Sequence, residues 1–307
     1  MKTLITGHLS MIGRSLVSQL NYNDLCLPDR KYYDYRYLMD VDLAMSTSKP
    51  EVVYMLAGVN GSISYNSTNK FDIFTDSIQI GLNTIKCCVQ YGVKKVVFVV
   101  ASCALQPSDD ESFESDLKNG NPHESVYCHG IAKRVVNICG EYAREQHGLN
   151  FVTVVCQNSF GPWDRFDPVR GKVVSNLIRR FTEAKDNNDP EIVIWGSGKP
   201  LREFIFCTDV AKGLIDIMEN YNEPEPINLT SEFEISIKDL AEKIKDAVGY
   251  NGKLVFDTSK PDGQMRKKLN ADRMKKYLNI EFTPFDEALK ETVDWYTENR
   301  GLLQCKQ

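Results

Sequence analysis

The sequence predicts an α/β protein in which a Rossmann-type, doubly wound parallel sheet is joined to a smaller C-terminal α/β lobe that binds substrate. Three observations lead there. Short β-branched runs alternate with helix-period segments through the first half. A turn carrying two glycines, Gly7 and Gly13, joins the first strand to the first helix. Beyond about residue 160 proline, glycine and charge increase, with no linker or repeat separating the parts.

In order, Thr3–Thr6 reads as a strand and Met11–Leu20 as a helix with Ile12, Leu16, Val17 and Leu20 apolar. A second strand ends near Leu27, and Val52–Leu56 has a buried-strand pattern. Phe71–Tyr91 reads as a long amphipathic helix stopped by Gly92. Val96–Ala101 is a further strand, and Gln106–Glu124 is a polar loop. A helix runs from about Tyr127 to Gln146, closed by Gly148, and Phe151–Val155 returns as a strand. Near-continuous apolar strands alternating with helices imply a sheet covered on both faces. Residues 1–160 form the dinucleotide-binding part, to which later segments return. Residues 161–307 are mainly the substrate lobe, with strands at Ile192–Trp195 and Leu254–Phe256 and helices at Lys172–Lys185, Ile237–Val248 and Phe285–Tyr296.

The bulk numbers suit an enzyme with a small ligand. The chain has 307 residues, 42% hydrophobic, with a formal net charge of −5, so a nucleic-acid partner is not expected. No apolar run reaches membrane-spanning length and no signal peptide is visible, so no membrane association and a cytoplasmic location are expected. Nine cysteines, an odd number without a CxxC pair, read as reduced thiols. The cluster Arg266-Lys267-Lys268 could neutralise a few phosphates.

At the first strand–helix turn the pattern is Gly7-x-x-Ser10-x-x-Gly13, with Met11 and Ile12 opening the helix. Glycines here permit a tight turn and close approach of a pyrophosphate to the helix N-terminus; Ser10 can offer its N–H and hydroxyl. After the second strand stand Asp29 and Arg30; an acidic residue would favour NAD(H) and a basic one NADP(H). Arg30 favours NADP(H), with NAD(H) not excluded. Asp40-Val41 lies where a following turn could meet the adenine.

Longer motifs then appear: Tyr54-Met55-Leu56-Ala57-Gly58, Gly92–Phe98, Ser102-Cys103, Asn158-Ser159-Phe160-Gly161-Pro162, Trp195–Phe204 and Ser259–Gly263. In this order, over nearly the whole chain, they resemble GDP-L-fucose synthases, the bifunctional epimerase/reductases among the extended short-chain dehydrogenases. The resemblance implies a GDP-linked 4-keto sugar as substrate, NADPH as reductant and a homodimer joined through the helices Phe71–Tyr91 and Tyr127–Gln146. It implies a cofactor site that includes Leu56, Ala57, Gly58 and Lys133. It places Asn158, Arg180, Trp195, Arg202 and Lys260 on the nucleotide-sugar side, arginine being suited to bidentate phosphate recognition.

The chemistry departs from the family. Its proton-donating tyrosine, four residues before the helical lysine, is replaced by His129, while Lys133 is kept. The two share a helix face, and as an imidazolium His129 could protonate an alkoxide, most easily at lower pH; Tyr127 is an alternative donor. At the strand end two registers stand open. In one, Ala101 replaces the catalytic serine and Cys103 keeps the epimerising cysteine. In the other, favoured one, Ser102 is the serine that donates to the ketone and the cysteine is lost. Lys172 stands where the family has its second epimerising residue, a histidine, and could return a proton only if burial or cations lowered its pKa. The expectation is an NADPH-dependent C4 reductase with epimerisation reduced or absent. A full epimerase/reductase and a silent nucleotide-sugar-binding homologue are the alternatives.

Overall fold

The structure, a computed structural model, describes residues 1–304. Six parallel strands form the main sheet in the spatial order Leu25–Cys26, Thr3–Thr6, Val52–Met55, Lys95–Ala101, Asn150–Cys156 and Ile227–Leu229. Thr3–Thr6 and Val52–Met55 are buried at every position, as a sheet covered on both faces requires. The chain runs outward from Thr3–Thr6 to one edge, then returns to build the other half. The carboxyl ends of Thr3–Thr6 and Val52–Met55 therefore flank a topological switch point, where open α/β sheets place their ligands.

The long helices Lys70–Gln90 and Tyr127–His147 pack side by side on one face. Gly81 makes that approach possible, because a Cβ there would lie 2.3 Å from a Val136 methyl. On the other face Met11–Gln19 packs against Cys207–Asn220. That second helix ends over Lys95, a 6% exposed lysine on a central strand. Its Nζ donates to the carbonyls of Ile217, Met218 and Tyr221 at 2.8, 2.7 and 2.7 Å and to Asn222 Oδ1 at 3.1 Å. One ammonium thus satisfies a helix end that would otherwise be buried with bare acceptors.

The smaller lobe holds the sheet Glu234–Ser236, Leu201–Phe206 and Asn158–Phe160, and the parallel pair Lys253–Asp257 and Glu191–Trp195. Val173–Asn187, Ile237–Val248 and Phe285–Gln304 are its helices. Its core joins Phe160, Phe181, Phe204, Leu240, Phe285 and Leu289 with Met11 of the first helix. Asp209, 1% exposed, accepts from Thr283 N at 2.8 Å and Thr283 Oγ1 at 3.0 Å, fixing the approach to the last helix. Among the described residues no helix is long and apolar enough to cross a membrane.

Several elements differ from the sequence expectation. The second strand is only two residues long, and a helix at Leu38–Ser48 follows it. Leu201–Phe206, Cys207–Asn220 and Ile227–Leu229 add a strand, a helix and the last strand of the main sheet within residues assigned mainly to the substrate lobe. Val173–Asn187 begins after Lys172, which is its N-cap residue.

Candidate active site

At the switch point, Thr6 Oγ1 accepts hydrogen bonds from Leu56 N and Ala57 N, both at 3.0 Å. This ties together the two strand ends that form the cleft floor. Gly7 then turns with φ +73°, and Ser10 N donates to its carbonyl at 2.9 Å. Ser10 Oγ accepts from Gly13 N at 3.1 Å, so the hydroxyl caps the helix and steadies the turn. A Cβ on Gly13 would lie 2.4 Å from Gly7 O and 2.7 Å from His8 Cα. The side chains of Met11 and Ile12 turn into the hydrophobic cores, so these residues bear on the cleft through their place in the first helical turn.

The cleft has a volume of about 700 Å³, and Gly7, Ser10, Leu56, Ala57 and Gly58 line it. Arg30 lines it too and has no ion pair or hydrogen bond among the described residues. Asp29 is absent from the lining; its Oδ1 accepts from Lys31 N at 2.8 Å and closes the local turn. The adenine-side assignment needs correction. Val41 is fully buried in the core, and Asp40 accepts from Asp34 N at 2.8 Å. Neither lines the cleft; Tyr33, Asp34 and Tyr35 do, because the chain turns back earlier than expected. The Arg36 guanidinium beside Asp34 holds that carboxyl below its usual pKa.

A strap, residues 161–171, forms the opposite wall. Trp163, with φ +68°, lies under the Arg14 guanidinium at 3.9 Å and packs on Trp295 at 4.9 Å. The strap is fastened to the residues beyond Gly58: Arg165 Nη1 donates to Asn60 O at 3.2 Å, Arg170 Nη2 to Tyr65 Oη at 3.0 Å, and Ser62 Oγ to Val169 O.

The end of the candidate site that holds Lys133 and His129 is cationic. Lys133, 7% exposed, donates from Nζ to Val99 O at 3.2 Å and lies 4.7 Å from the Phe98 ring centroid. A Cβ on Gly58 would come within 3.3 Å of that Nζ, so the lysine reaches the cleft floor. Burial brings its pKa down to about 8, with Cys103 opposing the fall. His129 is 2% exposed, and its Nδ1 has no partner. Burial first, then Lys133 and Lys172, lower its pKa to about 3. This overturns the imidazolium reading: the ring is neutral at any ordinary pH, because no carboxylate offsets the surrounding lysines. Tyr127 is largely exposed at the helix start.

The strand ends at Ala101, and Ser102 opens a 3₁₀ turn. Ser102 Oγ donates to Gln157 Oε1 at 3.0 Å. Gln157 Nε2 in turn donates to Glu203 Oε2 at 2.7 Å. Cys103 is half-buried and acts electrostatically on both Lys133 and Lys267. Lys172 is exposed, and the burial on which a proton-shuttling lysine depends is not there. Its charge still acts on His129, Asp164 and Lys267.

On the small lobe, Arg202 is desolvated without a carboxylate partner; its Nη1 donates to Leu201 O at 2.7 Å, and its charge acts on Lys267. Asn158 Nδ2 donates to Glu203 O at 3.1 Å. Trp195 is 73% exposed, with Lys260 Nζ 5.7 Å from its ring centroid. Arg180 Nη2 donates to Val193 O at 2.5 Å, on the same strand as Trp195. The adjoining loop is held by Asp262, which accepts from Ser197 N at 2.8 Å and Ser197 Oγ at 2.7 Å. Arg202 thus joins the lysines of the cationic end, while Arg180, Trp195 and Lys260 belong to a wall farther out on the small lobe.

Residues 3–230 match the model of the NAD dependent epimerase/dehydratase family. The chain belongs to that family. A putative GDP-L-fucose synthase 2 from Arabidopsis thaliana is 35% identical, the match covering 100% of this chain and 94% of the relative. A GDP-L-fucose synthetase from Naegleria fowleri, solved bound to NADP, superposes with a TM-score of 0.88 at 31% identity, covering 97% and 94% of the two chains. A GDP-6-OMe-4-keto-L-xylo-heptose reductase from C. jejuni superposes with a TM-score of 0.90 at 26% identity, covering 97% of each.

Within this epimerase/dehydratase member, sequence reasoning missed two features of the site. Lys267 was visible only as part of a basic triplet. The structure separates the three: Arg266 pairs with Glu234 at 2.7 Å, Lys268 with Glu111 at 2.5 Å, and Lys267 acts on the cationic end. The Gln157–Glu203 pair behind Ser102 had no local signal, since its partners come from distant segments.

Proposed function

We propose that the chain is an NADPH-dependent reductase of the C4 ketone of a GDP-linked 4-keto sugar, a deoxyhexose or heptose, with epimerisation reduced or absent. The observation that carries this reading is that Lys133 Nζ lies 3.3 Å from where a Cβ on Gly58 of the cleft floor would stand, in a group of cations where Lys133, Lys172 and Lys267 act on His129 and Arg202 acts on Lys267. The turn suits a pyrophosphate because it leads into a helix N-terminus, and Gly13 keeps that helix close, the space a Cβ would need there being filled by backbone. Bound NADPH supplies the hydride. The chain's own residues hold the diphosphate against cations, orient the ketone near Lys133 and shelter it under the strap. Proton removal from carbon is poorly served, since Lys172, which stands at the family's second epimerising residue, is exposed.

Cys103, half-buried beside Lys133 and Lys267, favours a second reading in which one epimerising step survives. The reading also includes a reduced, cytoplasmic setting, the expectation that an odd cysteine count without a CxxC pair raises. It includes a homodimer through Lys70–Gln90 and Tyr127–His147, supported by exposed Phe71, Ile138 and Tyr142 on these helices.

The test follows NADPH absorbance with freshly prepared GDP-4-keto-6-deoxymannose and a GDP-4-keto-heptose in heavy water. NADPH consumption is expected, without solvent deuterium at C3 or C5 of the product. Deuterium at either carbon supports the second reading, and NADPH binding without consumption overturns the reductase assignment. Arg30 gives a separate check on cofactor choice. Arg30→Ala is expected to raise the KM for NADPH about tenfold, the loss of one charge-assisted contact, while leaving the KM for NADH within about twofold. Equal changes for both would remove Arg30 from 2′-phosphate recognition.

A further inference from the structure

We infer that Lys133 itself, rather than His129 or Ser102, hands the proton to the carbonyl oxygen as the ketone is reduced. The inference deepens the reductase reading and rests on it. His129 and Ser102 are disabled by their surroundings, and Tyr127 stands exposed at the helix start. His129 sits among Lys133, Lys172 and Lys267 with no carboxylate to share its charge, and its buried Nδ1 has no partner. Ser102 has one proton, and it points at Gln157 Oε1. That amide cannot readily turn over, because its Nε2 donates to Glu203 Oε2 at 2.7 Å and to Lys267 O at 3.2 Å. Flipping it would set an oxygen against a carboxylate and a carbonyl.

Lys133 is differently placed. Of its three protons one goes to Val99 O, which leaves two for the cleft. Packed against Nζ are the Phe98 ring and Gly58. The charged and titratable groups facing it are Cys103 at the strand end and His129 on its own helix, with Lys172 and Lys267 beyond His129. No carboxylate steadies the ammonium, and burial brings it to about 8, close to the working pH that suits a general acid. In the step the carbonyl carbon gains the hydride and the C=O π pair moves to oxygen. One Nζ–H bond breaks as the O–H bond forms. NADPH is oxidised to NADP⁺, the ketone is reduced to the alcohol, and the neutral amine regains a proton from solvent after the alcohol leaves.

Steady-state kcat for NADPH oxidation should be flat below pH 8 and fall about tenfold per unit above it. Lys133→Arg keeps the cation but not a proton it can release. It should lower kcat about 10³-fold while NADPH affinity, read by nicotinamide fluorescence, stays within about tenfold. His129→Asn should keep the alkaline limb near pH 8, whatever its absolute rate. An Arg variant within tenfold of wild type, or an alkaline limb that vanishes with His129→Asn while NADPH still binds, overturns the inference. A readout independent of turnover is the NMR titration of ¹⁵N-labelled lysine Nζ in the NADP⁺-bound protein, the Lys133 signal assigned by its loss in Lys133→Arg. A midpoint near 8 supports the assignment, and one above about 10, the ordinary lysine value, overturns it. If NADPH binds but no 4-keto sugar is reduced, the reductase reading fails, and this titration separately shows whether Lys133 is poised as an acid.

Discussion

Gly13→Ala is expected to weaken NADPH binding by at least about 100-fold, or about 2.7 kcal/mol, in a fluorescence titration. The atoms a Cβ would strike are Gly7 O at 2.4 Å, His8 Cα at 2.7 Å and His8 C at 2.8 Å. All are backbone, so none can swing away as a side-chain tip would. Relief requires the helix Met11–Gln19 to move off the strand, breaking the Ser10 Oγ–Gly13 N cap and the Ser10 N–Gly7 O bond. The amides that should meet the pyrophosphate move with it. Ser10→Ala removes only the cap and should cost the fold about 1 kcal/mol. Alanine at 13 binding NADPH within threefold of wild type would show that the pyrophosphate does not rest on this turn.

Lys95→Met should lower the free energy of unfolding by about 3 kcal/mol in urea titration. Methionine retains most of the apolar stem, so the change isolates the ammonium. Three helix-end carbonyls and Asn222 Oδ1 lose their shared donor. Each buried unpaired acceptor costs about 1–3 kcal/mol, while removing a buried charge returns part of its desolvation cost. Several acceptors against one charge leave the balance unfavourable. A loss under about 1 kcal/mol would mean that the relieved desolvation offsets the broken bonds.

The parts of the fold legible in the sequence are those set by local repetition. Val52–Met55 and Lys95–Ala101 announce themselves as unbroken apolar runs, and Gly7, Gly92 and Gly148 mark the ends of elements where the backbone takes positive φ. The strand Leu201–Phe206 was hidden because it contains Arg202 and Glu203. Glu203 is buried only because Gln157, Thr230 and Leu269 supply donors from three distant segments. The misplacement at Asp40-Val41 has a similar origin. The helix Leu38–Ser48 hides only Val41, Ala44 and Met45, too weak a pattern to show where the preceding loop meets the cleft. His129 and Lys133 could be placed on one helix face by spacing alone. The neutrality of the imidazole could not, because it depends first on burial of the ring by the folded chain, to which Lys133, Lys172 and Lys267 add.

The shared core has a consequence for biosynthesis. Met11, on the first helix, is buried by the same cluster as Phe285, Leu289, Val293 and Tyr296. The last strand of the main sheet, Ile227–Leu229, and the helix Phe285–Gln304 must leave the ribosome before either lobe can close. At about 5–20 residues per second, the nascent first half therefore waits many seconds with apolar surface uncovered. A chain truncated before Phe285 is therefore expected to aggregate rather than give a free-standing dinucleotide-binding half, because the Met11 cluster is left uncovered.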